Sequence, residues 1–323
     1  MPTKASRDAL GRRSRMRPQS TGKRITPQPR DLLWFEKLAE HGPLPSTFLL
    51  EFCKGTHCSE KRGKERLTDL FNESDTPDGG AYLTRPAQQF STMDARYQPI
   101  VYELSPASVS ALRKIGCAIE PRRSGPYRHS LMVSCITASF ELACWARDDV
   151  NYIPQSRILA RANASLRWPT EVHDPEDDMT YQKDLIPDAV FGLEYLTPEG
   201  SRYRFFALEA DRATEPLRSS TNHRKSFKRH LLQYEDYIEC GSYREHLTLS
   251  APMLVLNVTT SERRVERMLE VTREFYPSGN SYQLFQAHHA FELVKGPRAP
   301  IPGLLNSRWV SSVGDVPLVD PME

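Results

Sequence analysis

The sequence predicts a protein of the α+β or α/β class, built from two globular parts. Three short helical segments followed by two strands predict a small N-terminal part, because apolar residues recur first at helical and then at strand spacing. A strand–turn–strand segment around residue 200, followed by alternating helices and strands, predicts a mixed sheet with helices on its faces. The chain has 323 residues, of which 39% are hydrophobic, and this is enough for two cores.

The N-terminal elements carry start and stop signals. Residues 41–43, His-Gly-Pro, end the first helix, Ser59 caps the third, and Ser105 followed by Pro106 begins a fourth. A long polar loop separates the two strands. The predicted elements are helices at 31–41, 46–52 and 59–72, strands at 81–85 and 100–104, and a helix at 105–116.

Three helices, a strand, a loop and a second strand follow one another in the order of a winged helix-turn-helix. In that fold the third helix enters the DNA major groove and the loop between the strands forms the wing. Basic residues lie in the third helix, beside the wing and in the N-terminal tail. Those that we expect to contact DNA are Lys61, Arg62, Lys64, Arg66, Arg85, Arg96, Arg12 and Arg13.

The positive charge of the chain is concentrated at its start. Residues 1–30 contain nine Lys or Arg and one Asp, a net charge of +8, whereas the whole chain carries only +2. A flexible basic arm of this kind makes salt-sensitive contacts with phosphates. Residues 31–120 contain ten basic and thirteen acidic residues, so a protein-docking role for the winged helix remains an alternative to DNA binding.

Acidic residues cluster on the predicted hairpin of the second part. Two strand-like runs flank the turn at 197–200, and symmetric pairing about that turn places Asp188 opposite Glu209. The Cβ atoms of directly opposed residues are about 5 Å apart. Asp211 shares a face with Glu209 because side chains alternate along a strand. The sequence therefore predicts that three carboxylates meet at one end of the hairpin.

Two interpretations of this acidic cluster are open. Carboxylates gathered in this way hold a divalent cation such as Mg²⁺ or Mn²⁺ in many nucleases, where the ion activates water and polarises a phosphate. The alternative is that the acids pair with neighbouring basic side chains. The candidates for such pairing are Arg212, Arg224 and Lys228.

The arrangement of the acids resembles a known nuclease core. Pro187-Asp188 on one strand and Glu209-x-Asp211 on the next are similar to the PD-(D/E)xK motif of restriction-endonuclease-like nucleases. The resemblance implies a nuclease-like fold for the second part. It departs from the motif at Asp211, where those nucleases carry a lysine that stabilises charge at the scissile phosphate.

A closer resemblance extends over about residues 30–290. Pro187-Asp188-Ala189 and the run Leu208–Pro216, followed by a helix with Leu231 and Tyr234, resemble the replication-relaxation family. The resemblance implies a winged helix joined to a restriction-endonuclease-like domain, in a bacterial or plasmid-borne protein associated with plasmid replication and transfer. It also implies that an active site would use Mg²⁺ or Mn²⁺.

Because the strand lacks this lysine, we consider the basic residues of the helix predicted at 222–238. Its buried stripe is bordered by Arg224 and Lys228 on one side and by His230 on the other, while Lys225 points away. The resemblance places the family's helix lysine at His230. Our candidate catalytic residues are Asp188, Glu209, Asp211 and Lys228, and the candidate metal ligands are Asp188, Glu209 and Asp211.

The sequence divides into five predicted segments. The last of them is rich in proline and has few charges, so we expect an irregular tail or docking arm. The predicted segments are a disordered basic arm at 1–30, a winged helix-turn-helix at 31–116, a linker at 117–128, a nuclease-like α/β domain at 129–295 and an irregular tail at 296–323.

No membrane attachment is predicted. The chain has no run of 18 apolar residues, and its first 30 residues lack the apolar region of a signal peptide. Its six cysteines form no C-x-x-C pair, which is typical of free thiols in a reducing compartment. We therefore expect a cytoplasmic protein associated with the nucleoid or with a plasmid.

The leading hypothesis is a DNA-binding protein of the replication-relaxation type, whose winged helix and basic arm contact double-stranded DNA and whose nuclease-like domain is either active or silent. One alternative is a divalent-metal-dependent endonuclease or nickase that uses the acidic cluster and lacks the usual strand lysine. A second alternative is an adaptor whose winged helix docks another protein. The expected partners are double-stranded DNA and either a second copy of the chain or a replication or transfer protein.

Overall fold

The computed structural model describes residues 15–75, 80–91, 97–117, 119–121, 125–176, 178–219 and 225–320. The chain forms two compact units. Unit 1 comprises residues 1–138 together with 294–300, and unit 2 comprises residues 139–293 together with 301–323. The long helix α5, Tyr127–Trp145, therefore begins in unit 1 and ends in unit 2.

Unit 1 contains the predicted series of short helices followed by strands. Its strands form a three-stranded antiparallel sheet in the order β1-β3-β2, so β3 lies in the middle. The short strand β1 was not predicted, because two residues are too few to show a periodicity. The elements are α1 Pro29–His41, β1 Leu44–Pro45, α2 Ser46–Phe52, α3 Glu60–Asn72, β2 Leu83–Thr84, β3 Val101–Leu104 and α4 Pro106–Lys114.

The segment before α1 is ordered from residue 15, so the prediction of a disordered arm over 1–30 was wrong for this part. The backbone N–H of Thr21 and the hydroxyl of Ser20 donate to the carboxylate of Glu73, at 2.5 Å and 2.6 Å. Burial alone would raise the pKa of Glu73, but these hydrogen bonds hold it below its ordinary value. Ile25 is buried beside them. Residues 1–14 lie outside the described part of the chain.

A buried ion pair joins α1 to α3. The carboxylate of Asp31 is fully buried in the first turn of α1 and accepts hydrogen bonds from Arg66 Nε and Nη2, the latter at 2.5 Å. It also accepts from the backbone N–H of Gln28, which caps the helix. Arg66 Nη2 donates to the carbonyl oxygen of Thr26 as well. This one pair therefore fixes two helices and the incoming segment.

Unit 2 is built on a seven-stranded mixed sheet in the order β12-β11-β10-β9-β8-β7-β4, with a separate two-stranded ribbon, β5-β6. Strands β8, β9 and β10 run parallel, and the other pairs are antiparallel. The elements are β4 Val150–Ile153, α6 Gln155–Ala162, β5 Trp168–Asp174, β6 Met179–Leu185, β7 Ala189–Thr197, β8 Gly200–Asp211, α7 Phe227–Glu239, α8 Ser242–Leu247, β9 Met253–Thr259, α9 Glu262–Phe275, β10 Gln283–Ala287, α10 Gly303–Asn306, β11 Trp309–Ser311 and β12 Gly314–Val316.

Helix α7 packs across the centre of this sheet. Its Leu231 lies in a cluster with Met268 of α9 and Phe285 of β10. Its Tyr234 and Tyr237 lie in a second cluster with residues of β7, β8 and β9. The α+β class is confirmed, with helices on the faces of a mixed sheet. This packing brings the side chains of α7 to the end of the β7–β8 hairpin.

The prediction of an irregular tail from residue 296 was wrong. Strands β11 and β12 extend the main sheet, and the fully buried Trp309 donates its indole N–H to the carbonyl oxygen of Leu304 at 2.9 Å. Each of these strands has only three residues, so the sequence shows too little alternation to predict them. Residues 294–300 belong to unit 1.

We expect Arg66→Met to destabilise unit 1 by about 3–5 kcal/mol, because it leaves the buried Asp31 carboxylate without its cation. Hydrogen–deuterium exchange should show faster exchange at the amides of α1 and α3. The matched control is Arg62→Met, which removes an exposed pair with Glu65 and should cost less than about 1 kcal/mol. Equal exchange in the two variants would contradict a structural role for Arg66.

Candidate functional site

The β7–β8 hairpin has the register predicted from its turn. Leu196 pairs with Ser201, and the ladder continues to Ala189 opposite Leu208. One step further, the Asp188 N–H donates to the Leu208 carbonyl oxygen at 3.0 Å. The Asp188 carboxylate accepts from the Ala210 N–H at 2.8 Å. Asp188 therefore stands beside Glu209, as the sequence predicted.

Glu209 is buried, and side chains of α7 contact both of its carboxylate oxygens. Tyr234 donates its hydroxyl to Oε1 at 2.6 Å, and His230 Nδ1 lies 3.3 Å from Oε2. Burial raises the pKa of Tyr234 well above its ordinary value, and the charge of Glu209 raises it further. The hydroxyl of Tyr234 therefore stays protonated and donates its hydrogen bond to Glu209 at every physiological pH.

Asp211 is held by an arginine. Arg264 Nε donates to Asp211 Oδ2 at 2.6 Å, and the Ala213 N–H donates to Oδ1 at 2.7 Å. Arg264 also donates to the carbonyl oxygen of Glu215. This partner was not predicted from the sequence. The parallel pairing of β8 and β9 could have indicated it. Because parallel strands end at the same edge of a sheet, the helix that follows β9 begins beside the end of β8, and its first turn lies next to Asp211.

Lys228 was predicted as a catalytic residue, but its ammonium group pairs with other acids than Asp188, Glu209 and Asp211. Its Nζ lies 2.6 Å from Asp174 and 2.5 Å from Glu176, at the end of β5, and both Lys228 and Asp174 are buried. Arg218 shares Glu176 at 3.0 Å. The β5–β6 ribbon, which the sequence analysis did not predict, supplies the acidic partners. Lys228 therefore attaches this ribbon to α7.

Lys225 takes the position near the acids that was expected of Lys228. Burial alone would lower the pKa of Lys225, but the carboxylates of Glu209, Asp188 and Glu215 raise it above its usual value. Its Nζ lies 3.1 Å from Glu215. The prediction that Lys225 points away was wrong because it placed this residue on a helix from 222. Helix α7 begins only at Phe227, so helical geometry does not apply to residue 225.

The arrangement determines which carboxylates could hold a metal ion. Among the described residues, no group of three or more His, Cys, Asp or Glu side chains is arranged as a metal site. Asp211 does not fit such a role, because the guanidinium of Arg264 neutralises it. Proteins usually bind Mg²⁺ through one or two carboxylates together with water and substrate phosphates. Asp188 and Glu209 could therefore hold the ion without Asp211.

The basic residues predicted to contact DNA have different environments in unit 1. Lys61, Arg62 and Lys64 are exposed on α3, where Arg62 pairs with Glu65 and Lys64 with Glu60. Arg66, in contrast, is only 13% exposed and is engaged by Asp31. The three exposed side chains form what we call the α3 basic face.

Arg85 is also held within unit 1. Its guanidinium lies 3.8 Å above the ring of Phe71, and it donates to the hydroxyl of Tyr102 and to the carbonyl oxygen of Arg15. Burial lowers the pKa of Arg85. The remaining predicted DNA contacts, Arg96, Arg12 and Arg13, lie outside the described residues.

Beside the α3 basic face lies a groove of about 570 Å³ in unit 1, which we call the basic groove. Arg15, Lys64, Arg85 and Arg298 line it, and no acidic side chain is among the lining residues that the structure describes. Arg15 and Arg298 were not among the DNA contacts predicted from the sequence. Arg298 lies in a segment that returns to unit 1 from late in the chain, and no local pattern indicates this.

Comparison with protein families identifies the family of this chain. The model of the replication-relaxation family matches residues 35–249, which is more than half of the chain. The chain therefore belongs to the replication-relaxation family, as its residues predicted. Membership suggests a role in the replication or transfer of a plasmid or mobile element. Searches of curated proteins and of solved structures found no match. Within the described residues, no helix is long and apolar enough to cross a membrane.

The two lysines near the start of α7 should respond differently to removal of charge. We expect Lys228→Met to cost about 3–5 kcal/mol, because it removes the cation that faces the buried Asp174 carboxylate. Thermal unfolding should show a lower midpoint, with faster hydrogen exchange in β5 and α7. Lys225→Met is the matched control and should leave β5 protected. The assignment of Lys228 to a structural role fails if its variant unfolds at the wild-type temperature.

Proposed function

We propose that the protein binds double-stranded DNA through unit 1, as part of the replication or transfer of a plasmid or mobile element. The observation that carries this proposal is the α3 basic face, Lys61, Arg62 and Lys64, on the third helix of a unit that also contains a three-stranded sheet. We further propose that the protein acts in the cytoplasm on nucleoid or plasmid DNA, as a single copy, as a dimer or beside a replication or transfer protein.

The order of elements in unit 1 supports a winged helix-turn-helix. Helix α3 follows α2 closely, and its Leu67, Leu70 and Phe71 are buried, so the opposite side faces solvent. In helix-turn-helix proteins, residues in the N-terminal part of the recognition helix contact base edges. The α3 basic face occupies that part of the helix. Ser59 caps the helix by accepting a hydrogen bond from the Arg62 N–H.

Because several of its acidic side chains are buried, the surface of unit 1 is less negative than its amino-acid composition implies. Asp31, Glu40 and Glu73 are each less than 9% exposed, and Asp31 is paired with Arg66. The exposed ion pairs of α3 are weak, since surface pairs contribute about 0–1 kcal/mol. DNA phosphates can therefore replace the carboxylates of Glu60 and Glu65 at little cost. This favours DNA binding over the docking of a protein through the same helix.

Neutralising the α3 basic face should weaken DNA binding and reduce its dependence on salt. The variant Lys61→Gln, Arg62→Gln, Lys64→Gln should lower the slope of log K against log salt by about 0.9 for each phosphate that the protein no longer neutralises. Fluorescence anisotropy with a labelled duplex across a salt series measures this slope. Removal of three exposed arginines of α9 is the charge-matched control: Arg263→Gln, Arg267→Gln, Arg273→Gln.

Two results of that titration would contradict the proposal. Wild-type binding that does not respond to ionic strength would exclude phosphate contacts as its main source. An equal loss in the α3 and α9 variants would mean that total charge, and not the α3 basic face, determines affinity. Unchanged duplex binding in the α3 variant, combined with loss of function in the host, would favour the protein-docking alternative.

A second candidate function is a metal-dependent nuclease activity of unit 2. The observation that favours it is the hairpin register that brings Asp188 beside Glu209. The charges of these two carboxylates also raise the pKa of Lys225, against the effect of its burial. Two carboxylates and a lysine are the residue types of the PD-(D/E)xK motif. Here the lysine would come from the segment before α7, because the strand position is occupied by Asp211. When bound, Mg²⁺ or Mn²⁺ would activate water and stabilise charge on the phosphate.

Nicking of supercoiled plasmid by purified protein with Mg²⁺ or Mn²⁺ tests this candidate. If the site is active, we expect Asp188→Asn, Glu209→Gln and Lys225→Met each to slow cleavage by about 10²–10³-fold, since each removes a group that acts on the transition state. The exposed Asp184→Asn is the matched carboxylate control. Cleavage that persists in the first three variants does not come from this site, and no metal-dependent cleavage by the wild type would mean a silent domain.

A further inference from the structure

The basic groove of unit 1 has a composition suited to an anionic ligand. It lies between α3, which contributes Lys64 and Thr68, and the segment 97–102 that contains the start of β3. Four cationic side chains and no acid are among the described lining residues, although Lys64 also pairs with Glu60 on the adjacent turn of α3. The lining residues therefore carry a net positive charge.

The position of Arg85 is fixed before any ligand binds. Its guanidinium lies over the ring of Phe71 and donates a hydrogen bond to the hydroxyl of Tyr102. Lys295 is buried nearby; its burial, and then the charges of Arg15 and Arg85, lower its pKa to about 8. Crowded cations of this kind favour a phosphate, which arginine contacts through more than one N–H.

Three buried polar atoms around the groove have no hydrogen-bond partner in the described structure. They are Thr47 Oγ1, Arg85 Nε and Gln98 Oε1. Buried polar groups are normally paired, so these atoms indicate a missing partner. Because they are shielded from solvent, a ligand in the groove reaches them only when the side chains that cover them shift. A phosphate accepts hydrogen bonds from Thr47 and Arg85. The amide oxygen of Gln98 requires a donor, which an inorganic anion without protons does not offer. The ligand therefore combines negative charge with an N–H or O–H group.

An aromatic side chain stands at the mouth of the groove. Tyr97 lines it and is 83% exposed, which is the highest exposure among the large hydrophobic residues described. Exposed aromatic rings beside basic grooves are the platforms on which proteins stack unpaired bases. Phosphate, hydrogen-bond donor and flat ring are the three chemical features of a nucleotide. The groove volume of about 570 Å³ is in the range of small-molecule sites.

We propose that the basic groove binds a nucleotide unit of unpaired nucleic acid, with its phosphate at Arg15, Arg85 and Arg298 and its base against Tyr97. This inference rests on the proposed role of unit 1 in nucleic-acid binding and adds a preference for an unpaired strand. A base within a duplex is stacked between its neighbours, so it cannot also stack on Tyr97. A free nucleotide has the same chemistry as one unit of a strand, and the experiment separates these sources.

The test measures binding of the full chain to a labelled single strand of about 12 nucleotides and, separately, to a labelled duplex. We expect Tyr97→Ala to weaken single-strand binding about tenfold, and Tyr97→Phe to restore it because the ring is kept. Arg298→Gln should also weaken it, whereas Arg308→Gln, a second exposed arginine, should not. Tyr97 and Arg298 are both exposed, so these substitutions should leave the fold intact.

The outcomes separate this inference from the proposed duplex binding. Duplex affinity should change by less than about twofold in the Tyr97 and Arg298 variants, while the α3 variant should lose duplex binding. Unchanged single-strand binding in Tyr97→Ala, or an equal loss on duplex, would overturn the inference. Competition by thymidine monophosphate would assign the groove to free nucleotides. Tyr97-dependent binding without such competition would assign it to a continuous strand.

Discussion

The pairing of β8 with β7 on one side and β9 on the other is the constraint on which the acidic region of unit 2 depends. Antiparallel pairing with β7 brings Asp188 to Glu209, and parallel pairing with β9 brings the first turn of α9, with Arg264, to Asp211. Glu209 is buried by the same packing and needs the hydrogen bond from Tyr234. A slip of one residue in either ladder would leave a buried carboxylate without a partner.

The two units use their charged residues in different ways. Unit 2 gathers acids at the ends of its strands and neutralises them with basic side chains from distant parts of the sequence, Arg264 for Asp211 and Lys228 for Asp174. Unit 1 buries several of its acids and leaves basic side chains exposed on α3 or around the basic groove. The formal charge of +2 therefore describes neither surface. Each unit has an electrostatic character of its own.

The sequence predicted the features that depend on local geometry. The turn at 197–200 was enough to determine the register of β7 and β8, because strand pairing is symmetric about a hairpin turn. It could not predict which lysine faces the acids, because the helical angles assumed for Lys225 apply only from Phe227 onward. It also missed the contacts of Lys228, because the β5–β6 ribbon that carries Asp174 was not predicted and lies apart from the main sheet. The pairing of Asp211 with Arg264, which is distant in sequence, can be inferred only when the order of the strands is known.

The return of residues 294–300 to unit 1 limits how this protein can be divided. That segment contributes the buried Lys295 and the groove residue Arg298, yet it is encoded more than 150 residues after the rest of the unit. A fragment ending at Ala138 would contain every helix and strand of the predicted winged helix but would lack Arg298, one of the four basic residues that line its basic groove. Unit 1 is therefore complete only once the chain has been synthesised as far as residue 300.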